Sequence, residues 1–211
     1  MSRQKDTAEI GMDIPPELIA AMMGMQQITG GGYLFPGDSE EDTEETEEEI
    51  QKNPQKKMLW AAENNHLDIV EELLKEDKDL IKSCDDDLYT PLHRASYNGH
   101  VEMVKLLLKN NANVNARTTD GWHPIHSAAR WNQSAIINVL LEHGSDINAQ
   151  TNGGQTPLHL ASSCKDSRET LVTLLSNPKT DRTIKNNLGE TAETICKRTS
   201  ALCKLFEEIK T

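Results

Sequence analysis

The six residues Thr90-Pro91-Leu92-His93-Arg94-Ala95 return 33 residues later as His123-Pro124-Ile125-His126-Ser127-Ala128, and 33 later again as Thr156-Pro157-Leu158-His159-Leu160-Ala161. A fixed period of this length means one supersecondary unit stacked on copies of itself, because a single copy cannot bury its apolar face alone. The motif also says how each copy starts. Thr is a good N-cap, and Pro suits the first helical position, where its missing N–H costs nothing. Leu or Ile and the following Ala supply the small apolar inner face of a short helix.

The remaining units align on that frame. Met58-Leu59-Trp60-Ala61-Ala62-Glu63 aligns through its Ala pair, with Ala61, Ala95, Ala128 and Ala161 in steps of 34, 33 and 33. This first unit lacks Thr-Pro, as terminal capping repeats do. Each unit then offers a second helix with an apolar face. The sets are Ile69, Val70, Leu73 and Leu74; Met103, Val104, Leu106 and Leu107; Ile136, Ile137, Val139 and Leu140; and Leu171, Val172, Leu174 and Leu175. Asn113-Val114-Asn115 opens a β-like finger towards the next unit. The loop Cys164-Lys165-Asp166-Ser167-Arg168 delays the fourth face, and Thr191 follows Thr156 by 35 residues, an insertion that loop entropy tolerates. Ile195, Leu202, Leu205 and Phe206 give a degenerate last unit its inner face, so it reads as a C-terminal cap. The expected class is all-α, a solenoid of about four helix-turn-helix repeats over 56–84, 85–118, 119–151 and 152–186, with a cap at 187–211. Two departures stand out. Gly121, Gly154 and Gly189 precede the N-cap by two residues, a turn needing positive φ, but the second unit has Leu88 there, which strains that turn or changes its geometry. His123 replaces Thr at an N-cap and weakens it.

Acidity is concentrated ahead of the repeats. Of the net charge of −12, residues 1–55 hold 13 Asp/Glu against 3 Lys/Arg, and the rest is nearly neutral. Asp38 to Glu49 carries nine carboxylates in twelve residues, and self-repulsion with little apolar area keeps such a run unfolded. Residues 1–55 are therefore expected as a disordered acidic tail. Within it, 17–25 between Pro16 and Gly30 is at most a transient helix, and Tyr33-Leu34-Phe35 a small apolar cluster. Ser39 and Thr46 precede acidic triplets and are candidate modification sites for an acidophilic kinase of the casein kinase 2 type.

The remaining composition bounds the function. No window approaches the ~18 apolar residues of a membrane span, and no apolar stretch directly follows the basic residues near Met1, so neither a span nor a signal peptide is expected. Cys84, Cys164, Cys196 and Cys203 form no C-x-x-C pair, which suits free thiols in a reducing compartment. No basic stripe for a phosphate backbone is present, so direct nucleic-acid binding is not expected. His93, His126 and His159 recur at repeat spacing, ~10 Å apart in a stack and too far to share one zinc. No Ser/His/Asp order, H-E-x-x-H or phosphate loop stands out, so no catalytic, cofactor or metal residue is assigned.

Aromatics point to binding. With Thr90, His123 and Thr156 as motif position one, Tyr89 and Trp122 sit at finger tips, and Arg94, Tyr97, Arg130 and Trp131 occupy positions on the exposed, concave side. These six side chains, of the types enriched in binding hot spots, are the candidate partner-binding residues. All are expected to face one groove and to be largely exposed, while Trp60 is expected to be covered.

The motif, its period and the Tyr89–Ala95 and Asp120-Gly121-Trp122 stretches resemble the ankyrin-repeat family across roughly 56–207. The resemblance implies an all-helical solenoid whose motif histidines hydrogen-bond backbone between units. It also implies a non-enzymatic regulator or adaptor, monomeric, without cofactor, nuclear or nucleo-cytoplasmic, that binds proteins and acts in transcriptional regulation. The alternative is an acidic-tail chaperone of basic proteins such as histones, with the repeats as support.

Overall fold

A computed structural model describes residues 26–27, 33–34, 50 and 52–209. The chain divides into residues 1–45 and 46–211. In the first part, Gln26–Gln27 and Tyr33–Leu34 form a two-residue antiparallel ladder, pairing Gln26 with Leu34 and Gln27 with Tyr33. The expected 17–25 helix, Phe35, Ser39, Thr46 and the 38–49 acidic run lie outside the described residues.

The second part is the stack of helix pairs. Among its described residues the first helices of the pairs are α1 (Pro54–Glu63), α3 (Pro91–Asn98), α5 (Pro124–Arg130), α7 (Pro157–Ser162) and α9 (Ala192–Thr199). Their partners are α2 (Leu67–Glu76), α4 (Val101–Lys109), α6 (Ser134–Glu142), α8 (Arg168–Leu175) and α10 (Leu205–Glu208), with short 3₁₀ turns at Lys78–Lys82 and Ala201–Lys204. The odd-numbered helices pack in series, each on the next, and the even-numbered ones form a second layer behind them. None of these helices is long and apolar enough to cross a membrane.

Helix α1 starts at Pro54, ahead of the expected residue 56. The Asn53 side chain accepts from the N–H groups of Gln55 (2.9 Å) and Lys56 (3.3 Å), and Pro54 takes the first helical position. Asn-Pro here does what Thr-Pro does elsewhere.

Burial follows the repeat. Leu92, Ile125 and Leu158 and the alanines Ala61, Ala95, Ala128 and Ala161 are buried in the odd layer. In the even layer Met103, Val104 and Leu107 correspond to Ile136, Ile137 and Leu140, then to Thr170, Leu171 and Leu174, all buried. The fourth unit thus departs from expectation. Val172 aligns with the exposed Lys105, lies one helical step off the seam and is exposed, while the buried place falls to Thr170.

The motif histidines join neighbouring units. The Thr90 N–H donates to His93 Nδ1 (3.2 Å), and His93 Nε2–H donates to the Trp122 carbonyl (3.2 Å). His126 Nδ1 likewise accepts from His123 N–H (3.0 Å), and its Nε2 donates to the Ala149 and Gln155 carbonyls (3.0 and 3.1 Å). His159 Nδ1 accepts from Thr156 N–H (3.2 Å) and its Nε2 reaches the Glu190 carbonyl (3.1 Å). A nitrogen that accepts from an amide carries no proton, so each ring is neutral with its hydrogen on Nε2. Burial, opposed by these backbone bonds, pulls the pKa of His93 down to about 4 and of His126 to about 3, and lowers that of His159.

The fingers between units are turns, with one isolated bridge, Lys185 to Thr191, among the described residues. Their backbones are linked in series: Thr119 N–H to Asp87 O (3.0 Å), Asn152 N–H to Asp120 O (2.9 Å), Asn187 N–H to Gly153 O (3.0 Å). Within each finger a side-chain oxygen holds the amide four residues on. Asp85 holds Tyr89 (2.7 Å), Thr118 holds Trp122 (3.0 Å), Thr151 holds Gln155 (3.2 Å) and Asn186 holds Glu190 (3.0 Å). Leu88 adopts φ +64° where Gly121, Gly154 and Gly189 have +77°, +72° and +76°, so the leucine takes the glycine conformation and carries its strain.

Candidate functional site

The six candidate residues fall on the odd-numbered helices and the finger ends that feed them. The expected single aromatic surface resolves into two. Tyr89 and Trp122 immediately precede the N-caps of α3 and α5. Each lies beside the histidine of the unit it introduces: Tyr89 is edge-on to His93 at 5.6 Å between centroids, and Trp122 is tilted towards His126 at 6.2 Å. Tyr97 and Trp131 sit at the other ends of these helices, about 12 Å away at 1.5 Å rise per residue. They meet edge to face at 4.7 Å, the quadrupole-favoured geometry.

All six residues are half-buried rather than largely exposed. The rings cover each other and the histidine seam, and the arginines are drawn into internal bonds. Arg94 Nη1 pairs with Glu63 (2.5 Å) and Nη2 with Asp85 (2.7 Å), so it ties the first unit to the second. Asn98 Nδ2 (3.3 Å) and His100 Nε2 (2.8 Å) donate to the Glu63 carbonyl and reinforce that junction. Arg130 Nη1 lies 2.8 Å from Cys164 Sγ, and its guanidinium carbon is 5.5 Å from the Trp131 ring centre. Trp60 is half-buried and stacks on His66 at 4.7 Å. Sequence reasoning does not reach the junction Glu63–Arg94–Asp85, because Glu63 and Arg94 are 31 residues apart and no local pattern links them.

At α5 the weakened cap is visible in its bonds. His123 keeps the backbone half of the capping arrangement, but its Nδ1 is buried with no hydrogen-bond partner among the described residues. In α7 the Thr156 hydroxyl meets both His159 Nδ1 (2.7 Å) and His159 N–H (3.4 Å). Among the described residues no three His, Cys, Asp or Glu side chains cluster as a metal site would need. Candidate modification sites Ser39 and Thr46 lie outside the described residues.

Comparison with known proteins agrees with this architecture. The family model of ankyrin repeats, three copies, matches residues 40–118, 58–151 and 116–186. Ankyrin repeat domain-containing protein 49 of Homo sapiens is 50% identical over 192 residues, covering 86% of this chain and 80% of that one. The protein of the same name from Bos taurus is 51% identical over 192 residues, covering 86% and 81%. The serine/threonine-protein kinase VIK of Arabidopsis thaliana is 45% identical over 65 residues, only 14% of that protein. Arrays of this kind are typically protein–protein interaction modules, and the chain belongs to the ankyrin-repeat family.

Proposed function

We propose that this chain is a non-enzymatic adaptor, monomeric and nuclear or nucleo-cytoplasmic, that regulates transcription by holding a protein partner against its odd-numbered helices and finger ends. The observation that carries this reading is the Tyr97–Trp131 pair with Arg130 beside it, a half-exposed aromatic and cationic cluster at the C-terminal ends of α3 and α5. Clusters of Trp, Tyr and Arg dominate binding energy where they are found in interfaces, at about 2 kcal/mol or more for each anchor truncated. The acidic segment supports a second reading. With 13 acidic residues against 3 basic ones in 1–55, the chain could hold basic proteins such as histones electrostatically.

One crosslinking pull-down with mass spectrometry separates them. It uses the parent, Trp131→Ala with Arg130→Ala, and a chain lacking 38–49, each at low and moderate salt. Loss of identified partners from the double variant, with its melting temperature within a few degrees of the parent, supports the groove. Partners kept by that variant but lost on tail deletion, and released by salt as screening shortens to about 10 Å at 0.1 M, decide for the tail.

A further inference from the structure

Counted from motif position one, the eighth residues of successive units are Glu63, Tyr97, Arg130, Ser163 and Arg198. Each of the first three touches the ninth residue of the following unit. Asn98 Nδ2 donates to the Glu63 carbonyl (3.3 Å), Tyr97 meets Trp131 edge to face (4.7 Å), and Arg130 Nη1 donates to Cys164 Sγ (2.8 Å). These residues form a row across the odd-numbered helices, and both of its ends are neutralised. Glu63 pairs with Arg94, and Arg198 with Glu190. The middle is not.

Arg130 is half-buried and meets no carboxylate among the described residues; its guanidinium touches the Cys164 sulfur and lies 5.5 Å from the Trp131 ring centre. The sulfur brings no compensating charge, because the thiol gives its hydrogen to the Arg130 carbonyl (3.3 Å) or the Leu160 carbonyl (3.4 Å). Sulfur is also a weak acceptor, so most of the five guanidinium N–H donors have no strong partner in the protein. A carboxylate supplies what is missing, through two parallel charge-assisted bonds. The 5.5 Å separation also says what accompanies it. Side chains two apart on one face of an extended segment are about 6.6 Å from each other, and those three or four apart on a helix about 5–6 Å. Either spacing sets an apolar side chain on Tyr97 and Trp131 when the carboxylate is on Arg130.

We propose that the middle of this row docks an acidic segment of the partner protein, with an Asp or Glu on Arg130 and a large apolar side chain, two to four residues away, on the Tyr97–Trp131 pair. The inference rests on the adaptor reading and names the chemistry of the partner at that same site. Arg130 supplies the charge that the row leaves uncompensated, and the aromatic pair fixes the register of the segment against it.

The test selects a random twelve-residue peptide library, displayed on phage, against the full chain, then measures the enriched peptides unlabelled by titration calorimetry. Enriched sequences are expected to carry Asp or Glu two to four residues from Trp, Phe, Tyr, Leu or Ile. Arg130→Gln should weaken their binding about ten-fold or more, and Arg130→Lys should recover part of it. Replacing the peptide carboxylate by its amide should cost as much in the parent and almost nothing further in Arg130→Gln, a coupling that a merely structural role of Arg130 would not produce. The amide substitution leaves the protein unchanged, so the test survives even if Arg130→Gln folds poorly. Enrichment of basic or carboxylate-free peptides, or an amide peptide that binds the parent as well as the acid, overturns the proposal. So does acidic enrichment seen only with a chain lacking 38–49, which makes the chain's own acidic segment the occupant. A dimer in sedimentation equilibrium that Arg130→Gln dissociates makes a second copy the occupant and overturns it too. Peptides lost in Trp131→Ala but indifferent to their carboxylate leave the adaptor reading standing and remove this one. Peptides indifferent to both Trp131→Ala and Arg130→Gln remove both.

Discussion

The histidine seam and the finger row run side by side through the same units, and they obey opposite rules. Along the seam the side chain repeats, and so do its bonds: His93, His126 and His159 each accept from an N-cap amide and donate to a carbonyl of the next unit. Along the fingers only the backbone repeats, through the bonds from Thr119, Asn152 and Asn187, while the tips read Asp-Leu, Asp-Gly, Gly-Gly and Leu-Gly. Repetition marks what holds the stack. Variation on a constant backbone marks where the stack does not dictate the side chain.

The seam can be broken all at once with acid, and this is the largest expected effect. His93 and His126 have folded pKa values of about 4 and 3 against 6.5 unfolded. Their folded values are depressed, so the unfolded chain binds more protons and stability falls as pH drops below about 6.5. Each ring loses about 1.4 kcal/mol for every pH unit travelled between its unfolded and folded values, so the two together cost on the order of 5 kcal/mol by about pH 4.5. Urea midpoints measured from about pH 7.5 down to that point should fall steeply once the unfolded value is passed. A flat profile, or a histidine Cε1–H resonance titrating near 6.5 for either ring in the folded protein, would contradict the neutral seam.

Next comes the layer behind the seam. Leu107 and Leu140 are fully buried in equivalent places of α4 and α6, so truncating either to Ala should cost about 2–5 kcal/mol. The loss should spread to neighbouring units, because each is stable only through its interfaces. The contrast is Val172→Ala, at the exposed position, where calorimetry should show almost no change.

How much is legible in the sequence follows from which interactions are local. The period, the Thr-Pro caps and the apolar spacings carry the repeat boundaries, since each depends on residues a few positions apart. Asn53-Pro54 escapes as a cap because it lacks the motif's Thr. Val172 is misplaced because Leu, Val, Leu and Leu form a run that periodicity alone does not phase, whereas the buried Thr170 settles it. At the candidate site, residue types are readable but partners are not. That Tyr97 meets Trp131, and that Arg94 is spent on Glu63 and Asp85, depends largely on contacts between units that only the stack creates.

The fingers should resist change where their backbones are closest. A Cβ on Gly154 would sit 2.9 Å from the Asn187 amide nitrogen at φ +72°, so Gly154→Ala combines a clash with strain and should cost about 2 kcal/mol. Thermal melts of this variant beside Gly144→Ala make the comparison. Gly144 also has positive φ but open space around it, so its penalty should be the smaller one. Equal losses would remove the role given to the close approach.

One seam irregularity should be correctable. His123 leaves its Nδ1 buried without a hydrogen-bond partner among the described residues, whereas a Thr there would offer a hydroxyl to the backbone of α5. His123→Thr should therefore gain about 0.5–1 kcal/mol, net of the edge contact between His123 and His126 at 5.5 Å. A lower urea midpoint than the parent would show that the ring contact outweighs the cap.

The smallest effect is expected at the first finger. Leu88 carries a left-handed strain of about 1–2 kcal/mol. Replacing it with Gly removes that strain, but the more flexible unfolded chain takes back about 0.5–1 kcal/mol. Loss of the buried part of the side chain takes a little more. The sum should be a gain of roughly 0.5 kcal/mol, read as a slightly higher midpoint with an unchanged denaturant slope. The sign is what matters. A gain would mean that the first finger holds its leucine against the preference of the backbone, which is what separates the finger row from the seam. If Leu88→Gly instead lowers stability by about 1 kcal/mol or more, the leucine is a packing residue after all, and the first finger belongs with the seam.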